Sequence, residues 1–249
     1  MPPRLPQRQK TGGEGKEAEA GASIDLTSGV AMFSLAGKVA VVTGGYGVLG
    51  SSWCKGLAAC GAKVAVLGRR QAAAEPVLAA IAESGGEAMF VQGDVMDKAS
   101  LEAACALIVA SWGKVDILVN GAGGNQPKAT VGPSDSFFDV PKDAMDTVVS
   151  LNLMGTVIPS QVFGAEIAKH GYGSILNISS MSAQLPLTRV LGYSAAKAAV
   201  DNFTRWLATE VRWGERGGAG GEARAGRAGK ERGYGRCIWM CGCWKRRPP

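Results

Sequence analysis

Short apolar runs rich in valine and alanine alternate with longer segments of helical periodicity between residues 38 and 213. The predicted strands read KVAVVT, AKVAVL, EAMFVQGD, VDILVN and SILNIS, in that order. Strands that are apolar along their whole length are typical of a sheet that is covered on both faces. The apolar spacing of the intervening and following segments predicts helices over about 48–60, 71–84, 98–112, 142–169 and 192–211.

Strands joined by helical crossovers form a parallel sheet, so the pattern predicts a single α/β domain with a doubly wound, Rossmann-like sheet. In such a sheet the ligand crevice lies outside the carboxyl ends of the strands. We therefore expect any functional residues of this chain to follow its strands directly.

The two ends of the chain lack this periodicity. Residues 1–34 are polar and punctuated by glycine and proline, and residues 214–249 contain ten glycines. Such segments bury too little apolar surface to offset their chain entropy, so we predict disorder in both, apart from a short apolar contact from Cys237 to Trp244, and a domain over 35–213. The domain is then truncated after its fifth strand and the following helix. The abrupt change after Trp213 suggests that the basic tail is translated from another reading frame or a retained intron.

Composition and charge narrow the class of protein. No apolar run approaches the length of a membrane span and no secretory signal precedes the domain, so we expect a soluble cytoplasmic protein. The net charge of +6 arises in residues 214–249, which carry nine basic and three acidic side chains. The balanced charge of the domain gives no indication of a nucleic-acid-binding face.

The six cysteines indicate no disulfide framework. Cys54, Cys60 and Cys105 lie in apolar patterns, where a free thiol packs as a small hydrophobe. Cys237, Cys241 and a third cysteine two residues later have no histidine nearby, and we predict no metal site in the chain.

A glycine-rich turn follows the first predicted strand and opens a helix. Such a turn lets the backbone approach a phosphate, while the amide groups and the dipole of the helix favour the anion. We therefore predict a dinucleotide-binding turn formed by Thr43, Gly44, Gly45, Tyr46, Val48, Leu49 and Gly50, with Gly47 among them.

The ends of the second and third strands bear on the cofactor. Arg69 and Arg70 follow the second strand, where basic groups suit the 2′-phosphate of NADP; NAD remains open, because an arginine here can also be a solvated helix start. After the third strand, Asp94 and its neighbour Val95 are placed to border an adenine, with Asp94 accepting from the amine. The equal alternative is that Asp94 caps the following turn.

Tyr193 and Lys197 form the pattern most indicative of chemistry. At positions i and i+4 they share one helix face, where an ammonium can favour the ionised form of a phenol. Such a phenol can act as an acid or base near neutral pH. Ser180 ends the fifth strand, at the sheet edge where the crevice is expected.

These motifs together resemble the classical short-chain dehydrogenases/reductases. The resemblance rests on TGGYGVLG, NGAG, an asparagine at 152, NISS and YSAAK in this order, and covers about residues 35–213. VTGG with GVLG, NGAGGNQPKAT and ISSMSA further resemble the branch described as D-mannonate oxidoreductases or fructuronate reductases. The resemblance implies hydride transfer between NAD(P)H and the carbonyl or secondary alcohol of a small polar substrate, such as a sugar acid.

The resemblance also implies roles for individual residues. Tyr193 is the general acid in reduction, Lys197 lowers its pKa and holds the nicotinamide ribose, Ser180 binds the carbonyl, and Asn152 holds a water behind Lys197. The floor beneath the cofactor is then formed by Asn120, Gly121, Ala122 and Gly123. Dimers or tetramers, in which the last two helices pair between subunits, are expected from the resemblance alone.

Two departures from the family pattern stand out. The usual family pattern T-G-x-x-x-G-x-G has a glycine at the position of Val48. In this chain the glycine lies one position earlier, at Gly47. The sixth strand and the Pro-Gly loop that follow the Tyr-Lys helix in the family are missing from the pattern. The alternative function is therefore a catalytically impaired nucleotide-binding or interaction protein, whose basic tail contacts nucleic acid or an acidic partner.

Overall fold

The computed structural model describes residues 33–185, 187–210 and 236–240. In this part of the chain the strands are β1 (Val39–Thr43), β2 (Lys63–Gly68), β3 (Glu87–Gln92), β4 (Ile117–Asn120), β5 (Ser174–Ile178) and β6 (Arg236–Met240). The α-helices are α1 (Val48–Ala59), α2 (Gln71–Glu83), α3 (Lys98–Trp112), α4 (Lys142–Lys169) and α5 (Leu191–Glu210).

The strands form one parallel sheet in the order β3-β2-β1-β4-β5-β6. Val41 of β1 pairs with Ala65 of β2 on one side and with Leu118 of β4 on the other. The strand order reverses between β1 and β4, and this point is where a doubly wound sheet opens its crevice. The predicted α/β fold is confirmed.

The two faces of the sheet explain why the strands read as continuous apolar runs. Val39 and Val41 pack into one buried cluster, which includes Leu101 and Phe163 from the helices. Their neighbours along β1 point to the opposite face, where Val42 packs into a second cluster. Successive side chains of a strand alternate between faces, so a strand buried on both sides needs an apolar residue at every position.

Local signals in the sequence set the ends of α3. The Asp97 carboxylate accepts hydrogen bonds from the amides of Ala99 (3.0 Å) and Ser100 (3.3 Å) and caps the first turn. At the other end Gly113 adopts the left-handed conformation (φ 82°) and its amide donates to Val109 O. A side-chain cap at the start and a left-handed glycine at the end fix the helix at 98–112, as the sequence predicted.

The long helix α4 is a core helix. By length and composition its 28 residues could also cross a membrane, and 44% of its most apolar window is buried within the fold. Its buried face carries the polar side chains of Asn152, Thr156 and Ser160, whose hydroxyl and amide groups are hydrogen-bonded inside the protein. Polar groups paired in this way fit the interior of a globular domain.

Strand β6 lies in residues 214–249, for which the sequence predicted disorder apart from a short apolar contact from Cys237 to Trp244. Residues Arg236–Met240 pair in parallel with the whole of β5, from Ser174 to Ile178. Without β6 the last predicted strand would leave a row of unpaired amide and carbonyl groups, and the short apolar run CIWM satisfies them. The strand thus covers 236–240, while residues 1–32, 211–235 and 241–249 lie outside the described residues.

Cys54, Cys60 and Cys105 are free thiols, as expected. Burial raises the pKa of Cys54 to about 12 and that of Cys105 to about 11, so both thiols remain protonated near neutral pH. Among the described residues no group of histidine, cysteine and acidic side chains could hold a metal ion. The side chains of Cys237, Cys241 and the last cysteine lie outside what the structure describes.

Candidate active site

A groove of about 870 Å³ opens at the carboxyl ends of the strands, as the sheet topology requires. Thirteen of the residues predicted for a cofactor or for catalysis line this groove: Gly44, Tyr46, Val48, Leu49, Gly50, Arg69, Asp94, Val95, Gly121, Ala122, Gly123, Tyr193 and Lys197. Most of the predicted site is therefore brought together in one cavity, and five of its residues lie outside the lining.

The glycine turn between β1 and α1 is too tight for other residues at two positions. Gly44 has φ of +65°, a conformation that side chains disfavour, and a Cβ on it would lie 3.1 Å from Ala122 Cα. A Cβ on Gly50 would lie only 2.2 Å from Gly44 O. The chain thus folds back onto the start of α1, and its helix amides open towards the groove.

Val48 and Leu49 occupy the first turn of α1 and are 91% and 55% exposed. They line the groove, with Gly47 as the residue that precedes the helix. Because Gly47 has no side chain, no cap from this residue satisfies the first-turn amides. These amides are available to an anion such as a pyrophosphate.

Tyr46 covers the end of β2. A Cβ on Gly68 would lie 2.2 Å from Tyr46 Cε1, so the ring is packed directly on this glycine. The Tyr46 hydroxyl accepts a hydrogen bond from the Arg69 amide at 3.1 Å, and the Arg70 guanidinium lies 5.9 Å from the ring centroid. Arg69 lines the groove, while Arg70 lies over the Tyr46 ring.

Asp94 caps the turn after β3, which was the alternative to an adenine contact, and it also borders the groove. Its Oδ1 accepts a hydrogen bond from the Met96 amide at 2.9 Å, which closes a turn after β3. Asp94 and Val95 both line the groove. The Asp94 carboxylate is therefore held at the edge of the groove by a backbone amide two residues further along the chain.

Tyr193 and Lys197 share one face of α5, as their spacing predicts, and both line the groove. Lys197 Nζ lies 5.7 Å from the centroid of the Tyr193 ring. It donates a hydrogen bond to Ile178 O at the end of β5, at 2.8 Å. Lys197 is thus anchored to the sheet edge beside the tyrosine.

The environment of Lys197 shifts its protonation equilibrium. The residue is 4% exposed, and burial lowers its pKa from 10.5 to about 8, against the raising effect of the Asp201 carboxylate. At neutral pH the ammonium is still the major form.

Asn152 is fully buried and grips the loop that follows β4. Its Nδ2 donates to Gly124 O at 2.6 Å and to Val148 O at 2.8 Å, and its Oδ1 accepts from Gly124 N at 3.1 Å. A Cβ on Gly123 would lie 2.7 Å from Asn152 Oδ1 and 3.5 Å from Lys197 Nζ. Asn152 and Lys197 therefore meet at the same glycine, although Asn152 does not line the groove.

Ser180 and Ser179 have separate environments. Ser180 precedes a short 3-10 helix (Met181–Ala183), and its Oγ accepts hydrogen bonds from the Ser182 amide (3.2 Å) and hydroxyl (3.0 Å). Ser180 is not among the residues that line the groove. Ser179 is buried and hydrogen-bonds to Asp201, so its hydroxyl is directed to α5.

Three predicted cofactor residues lie beneath the groove and support its floor. Thr43 is fully buried, and its Oγ1 accepts from the amides of Gly121 and Ala122, at 3.1 Å each. A Cβ on Gly45 would lie 3.0 Å from Cys54 Sγ, so there is little room for a side chain at this position. Asn120 Nδ2 donates to two buried acceptors of the interior, and none of the three residues lines the groove.

The sequence analysis missed several lining residues. Trp53 of α1 packs on the floor, since a Cβ on Gly121 would lie 2.5 Å from Trp53 Cζ3. An aromatic residue on the groove side of α1 is the one signal that could have identified it. Gly47, which the sequence placed within the predicted turn, also lines the groove, and the remaining missed residues are Leu67, Gly68, Gly93, Met96, Gly124, Asp146, Thr147, Ser150, Leu151 and Ile178.

The arrangement has the donors and the shape for a dinucleotide. The glycines bring backbone close to the cavity, the amides of α1 face it, and Arg69 adds a cation at the end of β2. In the same groove, Tyr193 with Lys197 can supply and remove a proton. The residues present therefore fit a nicotinamide dinucleotide beside a proton donor.

Comparison with known proteins agrees with this chemistry. The family model described as short chain dehydrogenase matches residues 38–214. The uncharacterized oxidoreductase UxuB of Bacillus subtilis is 46% identical over 183 residues, which are 70% of this chain and 66% of the relative. The D-threitol dehydrogenase of Mycolicibacterium smegmatis is 33% identical over 185 residues, covering 74% of this chain and 68% of that protein.

A solved structure is also similar. A Haemophilus influenzae protein with bound NAD, provisionally described as a D-mannonate oxidoreductase, has a TM-score of 0.68 and is 39% identical. The match covers 72% of this chain and 68% of that one. The chain spans about two thirds of the length of the curated relatives it matches, for example 66% of the Bacillus protein and 65% of an uncharacterized oxidoreductase of Haemophilus influenzae.

Proposed function

The chain belongs to the short-chain dehydrogenase family, and from this premise we propose that it is an NAD(P)-dependent oxidoreductase. In this proposal it interconverts a carbonyl and a secondary alcohol on a small polar substrate. The observation that carries the proposal is the position of Tyr193 and the charged Lys197 in the groove below the glycine turn. A proton donor and a dinucleotide-binding turn in one cavity are the two requirements of carbonyl reduction.

Tyr193 is the proton donor in this mechanism. As hydride arrives at a carbonyl carbon, negative charge develops on the oxygen, and the phenol of Tyr193 transfers its proton there. The Lys197 ammonium stabilises the phenolate that remains, and the same phenolate is the base in the reverse direction. Asn152 is hydrogen-bonded to Gly124 and so holds the loop after β4, which forms the floor of the groove, in place under the reacting groups. Ser180 hydrogen-bonds the carbonyl oxygen in the proposal.

The nicotinamide cofactor supplies the hydride when bound. Gly44, Gly50 and the first-turn amides of α1 would hold its pyrophosphate, and Gly121 to Gly123 would lie along it. Lys197 is within reach of this floor, because a Cβ on Gly123 would lie 3.5 Å from its Nζ. Lys197 therefore also suits the nicotinamide ribose hydroxyls, as the resemblance implies.

We propose NADP rather than NAD as the preferred cofactor. Support comes from Arg69, which lines the groove, and from Arg70, whose guanidinium is placed over Tyr46 at the end of β2. No carboxylate stands at this strand end to bind a ribose 2′-hydroxyl, and two guanidinium groups favour a 2′-phosphate.

The function is tested with the purified full chain. NADPH is mixed with a panel of ketoses and fructuronate-like sugar acids, NADP+ is mixed with the corresponding polyols and hydroxy acids, and nicotinamide absorbance is followed in both directions. We expect Tyr193→Phe to lower turnover by at least about 100-fold and to leave NADPH binding unchanged, because it removes the transferred proton and nothing else. Tyr172→Phe is the matched control, since Tyr172 lies by Lys38 and is 50% exposed. A folded wild-type chain without turnover on any substrate contradicts the proposal.

The cofactor preference is tested by binding. Arg69→Ala should weaken NADPH about tenfold, the loss of one charge-assisted contact, and leave NADH unchanged. Arg205→Ala, on the exposed side of α5, is the control. Equal losses for both dinucleotides, or tighter binding of NADH by the wild type, contradict the NADP proposal.

The finer assignments of substrate, compartment and assembly are proposals as well. Sugar acids and polyols are proposed as substrates because the relatives include a D-threitol dehydrogenase and a protein described as a D-mannonate oxidoreductase. We propose a cytoplasmic homodimer or homotetramer. A groove lined by Val109, Val162 and Ala165 runs between α3 and α4 and offers apolar surface for such a contact. Dinucleotide binding without turnover would instead favour the nucleotide-binding or interaction protein.

A further inference from the structure

Ser179 and Asp201 form a buried contact next to Lys197. Ser179 follows the last residue of β5 and is 3% exposed, and Asp201 is 4% exposed one helical turn after Lys197. The Ser179 hydroxyl donates a hydrogen bond to Asp201 Oδ1 and lies 3.3 Å from Lys197 O. A buried carboxylate needs such donors, because burial without them is costly.

The contact fixes the strand end at which the proposed active site is assembled. The residue before Ser179 is Ile178, whose carbonyl oxygen accepts the hydrogen bond from Lys197 Nζ. The residue after it is Ser180, at the start of the 3-10 helix. Holding Ser179 against α5 therefore holds both neighbours relative to Lys197.

The charge of Asp201 acts on Lys197 as well. Burial favours the neutral amine of Lys197, and the Asp201 carboxylate opposes this and favours the ammonium. The other titratable groups near the ammonium are Tyr193, on the same helix, and Asp146 of α4, which lines the same groove and is paired with Lys142. The described side chains of β5 and of the 3-10 helix contribute none.

We propose that Ser179 and Asp201 are a positioning pair for Lys197. The hydroxyl holds the end of β5 on α5, and the carboxylate keeps the lysine charged beside Tyr193. The kinetic part of this inference rests on the proposed oxidoreductase function. The effect on the charge of Lys197 does not, and it can be measured without turnover.

Three variants separate the two roles. Asp201→Asn keeps an acceptor for the Ser179 hydroxyl and removes the charge, whereas Ser179→Ala keeps the charge and removes the hydrogen bond. Glu210→Gln removes an equal charge about 20 Å from Lys197 along α5, beyond the reach of a screened interaction. If Asp201→Asn does not fold, Asp201→Ser replaces it as a smaller uncharged variant.

The first readout is the ¹³Cε resonance of Lys197 in protein labelled with ¹³C-lysine, assigned by its loss in Lys197→Arg. In the wild type the resonance should titrate with a pKa of about 8. In Asp201→Asn the midpoint should move to lower pH, because the carboxylate is the group that opposes the effect of burial on Lys197. Ser179→Ala and Glu210→Gln should keep the wild-type midpoint.

The second readout is the pH profile of kcat/KM. The ratio of wild type to Asp201→Asn should be near one at pH 6 and should increase towards pH 8, because the variant loses its ammonium earlier. Ser179→Ala should lose activity by a similar factor at every pH. A folded Asp201→Asn with the wild-type Lys197 midpoint overturns the inference. A moved midpoint in a protein without turnover supports the pair and contradicts the oxidoreductase.

Discussion

Lys197 Nζ is hydrogen-bonded to the carbonyl oxygen of Ile178, at 2.8 Å, so the lysine of α5 is tied to the last residue of β5. One carbonyl cannot replace the water that surrounds an exposed ammonium, and burial therefore destabilises the cation. The protein retains the charge where it serves the proposed chemistry. This relationship predicts a conflict between stability and activity at a single residue.

We expect Lys197→Met to stabilise the fold and abolish turnover. A pKa lowered from 10.5 to about 8 corresponds to about 3 kcal/mol of unfavourable burial at neutral pH. Methionine also leaves the Ile178 carbonyl without its hydrogen bond, which costs about 1 kcal/mol. The free energy of unfolding should therefore rise by about 2 kcal/mol at pH 7. Urea unfolding measures the change.

The stabilisation by Lys197→Met should depend on pH, and the lowered pKa of Lys197 determines the direction of this dependence. Below about pH 8 the lysine is protonated in both states, and the full cost of its burial is present. From pH 8 to about 10.5 the folded protein holds the neutral amine while the unfolded chain still binds the proton, so wild-type stability rises. The gain of Lys197→Met should therefore shrink by pH 10. The exposed Lys128→Met is the control, and a gain that grows with pH contradicts the explanation.

Regular elements followed from the sequence because their signals are local. Helix α3 could be predicted at 98–112 since Asp97 caps it and Gly113 ends it, and β1 since every residue of VAVVT is buried between two helical layers. The Tyr193 and Lys197 pair was equally local. One turn of helix separates the two residues, and the strand order then placed them at the groove.

Tertiary packing determined what the sequence could not predict. The contact of Tyr46 with Gly68 joins the loop after β1 to the last residue of β2, and that of Ser179 with Asp201 joins a strand end to a helix. Strand β6 arises because β5 needs a partner, in a segment whose glycine content indicated disorder. Residues that support a site through tertiary contacts, such as Ser179 and Asp201, have no characteristic spacing that a single sequence could reveal.

Gly50→Ala should disrupt the glycine turn. The added Cβ would lie 2.2 Å from Gly44 O and 2.9 Å from Gly45 Cα, and backbone atoms at this distance must move. We expect dinucleotide affinity to fall by at least about tenfold and stability by about 1–3 kcal/mol, the usual range for overpacking. Fluorescence titration with NADPH and NADH measures the first effect, and urea unfolding the second.

Gly56→Ala is the control for the same helix. Nothing lies within 4 Å of a Cβ at Gly56, which is an interior position of α1. Alanine there should raise the free energy of unfolding by about 0.5–1 kcal/mol and leave dinucleotide binding unchanged. Equal effects of the two substitutions would show that the turn tolerates a side chain.

Asn177→Ala should destabilise the interior without changing the groove. Asn177 Oδ1 accepts from Asn120 Nδ2 at 2.8 Å, and its Nδ2 donates to Thr204 Oγ1 at 2.9 Å, all at buried positions. Removing it leaves buried polar groups unpaired, at a cost of about 2–3 kcal/mol in the free energy of unfolding. NADPH affinity should be unaffected.

Asn120→Ala tests the cofactor role that the sequence suggested. Its side chain contacts Ser160 and Asn177 in the interior, so it should lower stability as Asn177→Ala does, and the double variant should lose less than the two single losses combined. Weaker dinucleotide binding at unchanged stability would instead assign Asn120 to the groove.

Arg189 joins the two loops that precede α4 and α5. Its Nε donates to Val131 O at 2.8 Å and its carbonyl accepts from Val131 N at 2.9 Å, with φ of +76° at Arg189. Arg189→Ala and Arg189→Gly both remove the side-chain bond, and glycine alone tolerates this φ. Arg189→Gly should therefore be about 1 kcal/mol more stable than Arg189→Ala in urea unfolding. Because both free the loops before Tyr193, kcat/KM should fall alike in the two variants. An alanine variant as stable as the glycine one would mean that the left-handed turn is not kept in solution.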